Sequence, residues 1–440
     1  MDRSLWGLQT NQKDHLVFGG CDLVELGKEY GTPLYVVDTG RLRSNSQRFV
    51  NSFRVLYPKV KVFYSYKTNC VPGVLKIIHD EGLGAEVSSP YELWLTSQLG
   101  VKPSEVFYSG VNKTEKDLIN AINKGVGYIN IDSVGELIRL KKVSEELKSE
   151  INVGIRVYPE VGWKGQFGLQ PFQDNVFPVL QEFIESDWVK LNCLHMHIGT
   201  GISRPKEYEA AIVQLCFLIK EFKKRLNIDV ELINIGGGFG ISTVKRLDIG
   251  DIALYKLFDL PPSEPSKNQC PPIEVFGKRI TEYLLNSCIR YGIDEPFLLL
   301  EPGRAISSDA QILLLSVVDI KTRGNGRKFA LTDGGQNIAY PLSYEYHKCF
   351  VANRANVEFK DRYSVTGPLC SPGDLLYRNW KFPRLNEGDM LAIMDAGAYF
   401  TSFSYSFSFS KPAVVLVSNG DHELARQHES FEHMTALDLI

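Results

Sequence analysis

KLNCLHMHIG (190–199), EYEAAIVQLCFLIKEFKKRLN (207–227) and ELINIGGG (231–238) are three successive segments whose reading decides the fold. The outer two are short, apolar runs, whereas the middle one repeats its apolar residues at helical spacing. Strand, amphipathic helix and strand make one β–α–β unit, because two parallel strands need a crossover of this kind. The same alternation continues in both directions. Strand signals occur at VKVFYSYK (60–67), LGAEVSS (83–89), EVFYSG (105–110), GYINID (127–132), INVGIRVYP (151–159) and PFLLLEPGR (296–304). Helix-like runs such as PYELWLTSQLG (90–100), TEKDLINAINKG (114–125) and SVGELIRLKKVSEELKS (133–149) fill most of the gaps. Eight strand signals in this order predict a (β/α)8 TIM-like barrel; a doubly wound sheet is the alternative that eight units fit less well.

The strand ends carry the polar residues: Lys67, Glu86 with Ser88, Ser109, Asp132, Arg156, His197, the glycines after Ile235, and Glu301 with Arg304. Barrel enzymes keep their chemistry on that rim. After residue 304 long helices stop. AISSDAQILLLSVVDIKTR, RKFALTDGG, DRYSVTGPLC, DMLAIMDAGAY and PAVVLVSNG read as β-segments of an antiparallel domain, joined by the N-terminal HLVFGG and TPLYVVD. The predicted division is a barrel over 38–297 and a β domain from 1–37 and 298–440. PPSEPSKNQCPP (261–272), with five prolines, is predicted to be an exposed loop.

Composition narrows the class. The 440 residues are 44% hydrophobic and 23% charged, which supports an ample core. Forty-nine basic against 52 acidic side chains leave a formal charge of −3, so neither a nucleic acid nor a membrane surface is an expected partner. No apolar run has the length of a membrane span, and the first residues lack a signal-peptide core. Eight cysteines without a CxxC pair fit reduced thiols and a cytoplasmic enzyme.

Individual residues support chemistry and structure in different degrees. GGGFG (236–240) suits an anion cradle or a tight turn about equally, and it has neither GxGxxG spacing nor a P-loop GK[ST]. Lys67 in YSYKTN (64–69), between apolar neighbours, would have its pKa lowered by desolvation and serve as a Schiff-base amine; a solvated lysine is the plainer reading. His195 and His197 alternate along HMHIGT (195–200), as a metal pair, a ring over a cofactor or a packed core residue. In EPGR (301–304), Glu301 would protonate a ring nitrogen and Arg304 would bind an anion, with a salt-bridged turn as the simpler account. Cys370 in GPLCSPGD (367–374) is placed in a turn that favours an accessible sulfur.

YSYKTN, GAEVSSPYEL, HMHIGT, GGGFG, EPGR, GPLCSPGD and DAGAY occur in the order found in fold-type III pyridoxal-phosphate decarboxylases, which the chain resembles from about residue 30 to FEHMTALD (431–438). This diaminopimelate and ornithine decarboxylase group implies an alanine-racemase-like barrel with a β domain, in a homodimer with shared active sites. The resemblance implies that Lys67 carries pyridoxal 5'-phosphate and that His197 stacks on its ring. Gly236, Gly237, Gly238, Gly303 and Arg304 would lie against the cofactor, with Tyr399 of DAGAY on its phosphate. Glu301 would keep the pyridine nitrogen protonated, Glu86 and Thr200 would stand nearby, and Cys370 of the partner would be the general acid. No metal is implied.

The departures concern the far end of the substrate. Diaminopimelate decarboxylases follow the cysteine with Glu and ornithine decarboxylases with Asp; here Ser371 follows. Diaminopimelate enzymes also carry an arginine after the DGG-like turn, but DGGQNIAYPLSYEYHKC (333–349) has none, and Tyr340 or Pro341 stands near that place. Loss of both charged partners would cost a diaminopimelate head group several kcal/mol. Tyr344, Glu345, Asp374, Arg304 and Tyr399 complete the expected substrate-binding set, with Glu345 as a substitute acidic partner. The Cys-Ser-Pro turn resembles relatives acting on modified amino acids, such as citryl-diaminopropionate in siderophore synthesis or a carrier-bound glutamate. The sequence thus predicts an α-decarboxylase of an L-amino acid or derivative, releasing CO2 and an amine in specialised metabolism. Diaminopimelate decarboxylation to L-lysine is the alternative. A metal-dependent barrel hydrolase and a non-catalytic binding homologue are the readings from other classes.

Overall fold

The computed structural model describes residues 3–172, 176–266 and 268–439. Eight parallel strands close into a barrel in chain order: Val60–Ser65, Gly84–Val87, Val106–Tyr108, Tyr128–Ile131, Ile151–Arg156, Val189–His195, Leu232–Asn234 and Phe297–Leu300, the last pairing with the first. Six of the eight strands end before the polar residues that close their sequence motifs; Glu86 lies within its strand and Arg156 is the last residue of its own, so all eight motifs close at the C-terminal rim.

The crossover helices start where short polar side chains cap them. Ser89 accepts the Glu92 amide ahead of Pro90–Gln98, Thr114 and Asp117 form a reciprocal capping box ahead of Glu115–Asn123, and Ser133 accepts the Glu136 amide ahead of Val134–Leu147. The helix Glu207–Leu226 buries Tyr208, Ile212, Leu215, Ile219 and Phe222, one face at helical spacing, and ends at Asn227 in the left-handed region.

The second layer is a nine-stranded sheet. Leu34–Asp38 runs between Gln311–Thr322, antiparallel, and Ala413–Ser418, parallel. HLVFGG instead forms the middle of a separate three-stranded sheet, and its Leu16 and Phe18 pack in one apolar cluster with Val36, Leu314 and Val415. The expected antiparallel arrangement holds for most pairs; Lys328–Thr332 with Asp361–Thr366 is a further parallel one.

The helix Ile249–Phe258, capped by Asp248 and Asp251, has no counterpart in the sequence reading. It buries no residue fully, so the apolar periodicity that reveals a core helix is missing. Side-chain anchors hold it. Tyr255 Oη accepts the Arg378 amide at 2.7 Å, and Asp259 takes Arg378 and Arg327 at 2.9 Å each. Together with the two-residue pairing of Lys245–Arg246 to Glu345–Tyr346, this ties the segment after the glycine run to the sheet domain. The proline-rich loop that follows is mostly exposed or half-buried, with residue 267 outside the described residues. Among the described residues no helix is long and apolar enough to cross a membrane.

Candidate active site

Lys67 sits in a short 3-10 turn, Tyr66–Thr68, directly after the first barrel strand. That turn is packed against the EPGR turn from the last strand. The Ser65 amide donates to the Pro302 carbonyl at 3.1 Å, and a Cβ at position 303 would collide with the Thr68 hydroxyl, so only glycine permits this approach. Tyr399 joins from the sheet domain: its amide donates to the Thr68 carbonyl at 2.8 Å, with φ at +70°. Chain-distant motifs thereby meet around one lysine.

The Lys67 ammonium donates to both oxygens of Glu86, at 3.1 and 3.3 Å, and to Ser88 Oγ at 3.3 Å. Glu86 is fully buried and also accepts from Ser65 and Ser109, which satisfies its charge. Burial alone would lower the Lys67 pKa, as the sequence suggests, but Glu86 and then Glu301 outweigh it and raise the pKa instead. The expected depressed lysine is therefore a paired ammonium when no cofactor is bound. Glu86 answers in the opposite direction: burial would raise its carboxyl, but Lys67 and the hydroxyls hold it down.

Glu301 is held from below. Its Oε1 accepts from Asn234 at 2.7 Å, and its Oε2 lies 3.8 Å from His195 Nε2. Burial first, and the Glu86 charge second, push its carboxyl up to about 7. His195 is buried with its Nδ1 on the Asn130 amide, and its Nε2 finds no hydrogen-bond partner. His197 stands two residues further along, past the end of the strand. Burial, then the Lys67 and Arg156 cations, push its pKa down to about 3, and its Nδ1 accepts the Gly237 amide at 3.3 Å, so the ring is neutral. Trp163 meets its edge at 6.1 Å. His195 and His197 belong to no group of three close metal-ligating atoms among the described residues.

The glycine run works by close approach. Added Cβ atoms would strike the His197 ring at Gly236, the Glu301 carbonyl at Gly237 and the Gly199 carbonyl at Gly238; φ is +68° and +86° at the first and third. The turn bearing Thr200 runs alongside, the Ile202 amide donating to the Gly238 carbonyl at 2.8 Å. A bare backbone concavity at this place suits a phosphate. With an amine, a buried carboxyl, a neutral imidazole and this concavity on one rim, the residues fit pyridoxal phosphate.

The remaining expected residues divide into two groups. Arg304 is 7% exposed, lies 5.5 Å over the Tyr399 ring and donates through Nη2 to Glu345 Oε1 at 2.5 Å; its Nη1 is buried and unpartnered. Glu345 is itself buried between Arg304 and His347, so both its oxygens are engaged and it is not the free acidic partner that the sequence suggests. Tyr344 stacks edge-on to Tyr340 at 5.7 Å, and Tyr340 to Phe403 at 5.7 Å. Beyond them Tyr340, Leu369, Ser371, Tyr405 and Phe407 line a cleft of about 560 Å³ with Lys256 on its wall. Asp374 also borders that cleft, but its carboxylate accepts the Gln336 and Leu369 amides at 2.7 Å each, so it braces the cysteine turn from inside. Cys370 is the exposed one of eight unbridged cysteines. Asn234, Asn130, His347 and Trp163 were not singled out by the sequence; Asn234 alone had a signal, as the last residue of its strand.

The chain is similar to known proteins over most of its length. The model of the pyridoxal-binding domain of pyridoxal-dependent decarboxylases matches residues 41–308, and the chain belongs to that family. It is a carboxy-lyase, a pyridoxal-dependent amino-acid decarboxylase. The diaminopimelate decarboxylase of Methanothermobacter thermautotrophicus is 34% identical over 97% of this chain and 96% of its own length, and that of Bacillus subtilis is 28% identical over 98% and 97%. A crystal structure of diaminopimelate decarboxylase from M. jannaschii superposes with a TM-score of 0.85 at 26% identity, covering 98% of both chains. The same enzyme has been solved with L-lysine.

Proposed function

We propose that the chain removes the α-carboxyl group of a two-headed amino acid, with meso-diaminopimelate as substrate and L-lysine as product. The relatives favour this substrate over the modified amino acids suggested by Ser371. The observation that carries it is the Arg304 guanidinium, whose buried Nη1 lacks an acceptor and suits a carboxylate that stays on the product.

Pyridoxal phosphate, when bound, supplies an electron sink for the charge left on Cα as CO2 departs. Lys67 would hold it covalently, and Gly236, Gly237, Gly238, Gly303 and Tyr399 would hold its phosphate, with Glu86, His197 and Thr200 lining its place. Glu301, steadied by Asn234, would keep a proton at the ring nitrogen. Loss of the Lys67 charge leaves Glu86 to the Ser65 and Ser109 hydroxyls that already serve it. Cys370 Sγ, exposed on its turn, would deliver the proton to Cα from a second copy of the chain, which makes the homodimer part of the site.

Borohydride reduction of the purified holoenzyme should fix the cofactor on Lys67, and CO2 release should be brisk with meso-diaminopimelate. A Cys370→Ala variant should keep the cofactor and lose most product. Absence of turnover with meso-diaminopimelate, beside turnover of citryl or acyl diamino acids, would replace the substrate. That second reading rests on the uncharged Tyr340 and Ser371 wall.

A further inference from the structure

The two terminal nitrogens of Arg304 are treated differently. Nη2 donates to Glu345 Oε1, whereas Nη1 is buried with no partner. An arginine beside a carboxylate normally makes a two-point pair, one oxygen for each nitrogen. Here the second oxygen is already taken: Glu345 Oε2 meets His347 Nε2 at 3.2 Å. The other ring nitrogen of His347, Nδ1, lies 3.0 Å from the Met394 carbonyl oxygen.

A carbonyl oxygen has no proton to offer, so Nδ1 must carry one. Burial opposes ionisation of Glu345, but Arg304 and His347 outweigh it and keep the carboxyl below its ordinary range. An ionised Glu345 has no proton to offer and accepts only, so the 3.2 Å contact with His347 Nε2 engages Oε2 and leaves Arg304 a single oxygen. The ring has little freedom. It is fully buried, its edge packs on Phe400 at 5.0 Å, and the Tyr377 hydroxyl donates to the His347 carbonyl at 3.1 Å.

We propose that His347 is a positioning residue: by occupying Glu345 Oε2 it limits that carboxylate to one contact with Arg304 and leaves Nη1 free for a carboxylate of the bound amino acid. The proposal rests on the reading of Arg304 as the substrate's anchor. Without His347, Glu345 closes a two-point pair on Arg304 and withdraws the free donor. The substrate then competes with an internal carboxylate, and binding suffers while the chemistry at Cα does not.

The test compares His347→Leu, His347→Gln and Arg304→Lys as holoenzymes. In His347→Leu, KM for the amino acid should rise about tenfold or more, with kcat within about threefold and the cofactor's absorption band unchanged. Gln presents an amide near the Nε2 position, so His347→Gln should bring KM most of the way back. Arg304→Lys should raise KM at least as much as His347→Leu. If Arg304→Lys leaves KM unchanged, the anchor reading and this proposal both fall. If Arg304→Lys raises KM but folded His347→Leu does not, the proposal alone falls.

Discussion

Two regions of this molecule handle polarity in opposite ways. Around Lys67, ionisable groups are packed inside: Glu86 and Glu301 are 0% and 5% exposed, and each is met by hydroxyl, amide or ammonium donors. Around Tyr340 the wall is aromatic and open, with Tyr340, Tyr405 and Phe407 each more than 40% exposed. Lys256, Asp374 and Arg378 also line that cleft, where Arg378 is neutralised by Asp259 and Asp374 is taken up by backbone amides. A buried charge network is an all-or-none device, because removing one partner strands the others without water. An open aromatic wall tolerates exchange of single residues. On the proposed function, catalysis belongs to the first region and the far end of the substrate meets the second.

Substitutions separate the two. Lys67→Ala should abolish turnover, by on the order of 10⁴-fold or more, and leave a protein without the cofactor's absorption band; residual coloured, active enzyme would break the division at its root. Glu301→Gln should lower kcat by about 10²-fold to 10³-fold, measured by CO2 release at saturating substrate. The same variant sharpens the electrostatics. The native carboxyl titrates at about 7 and an unfolded glutamate near 4.5, so between those values the native state holds a proton that the unfolded chain has released. Stability from this group is present below pH 4.5 and is lost as pH rises to 7. Cofactor-free Glu301→Gln should accordingly melt higher than wild type at pH 8 and no higher at pH 4.5.

Effects in the second region should be smaller and of another kind. Tyr340→Arg should change kcat/KM for meso-diaminopimelate by about tenfold, upward if a distal carboxylate reaches this wall, with the cofactor's spectrum untouched. A changed spectrum would show that the regions are not separable. Asp374→Asn should cost about 1–2 kcal/mol in urea unfolding, since an amide accepts only one of the two backbone N–H bonds that hold the cysteine turn. No loss of stability would mean that the turn is held elsewhere.

What could be read from the chain depended on how local the cause was. The barrel strands follow from short apolar runs and capped crossovers, which are local; seven lie inside their expected segments and the sixth starts one residue before its own, at Val189. Lys67, Glu86, His197, Glu301 and the glycines were visible because each ends a strand or forms a turn. Their environments were not. Lys67 looked desolvated along its own segment, yet it is raised by carboxylates 19 and 234 positions away. Glu345 looked available for the same reason: Arg304 and His347, which engage it, come together only through folding. The helix Ile249–Phe258 escaped because side-chain anchors rather than a core face hold it.

The sequence by itself determined the alternation of strands and helices, the family and the residue types that can do its chemistry. These depend on periodicity and motif, which survive in one dimension. Only the tertiary structure decided which charges are paired, which way each titration moves and which nitrogen of Arg304 is left free. Those properties arise from distances between chain-distant groups in a medium of low polarity, where a few ångströms determine whether a charge is satisfied.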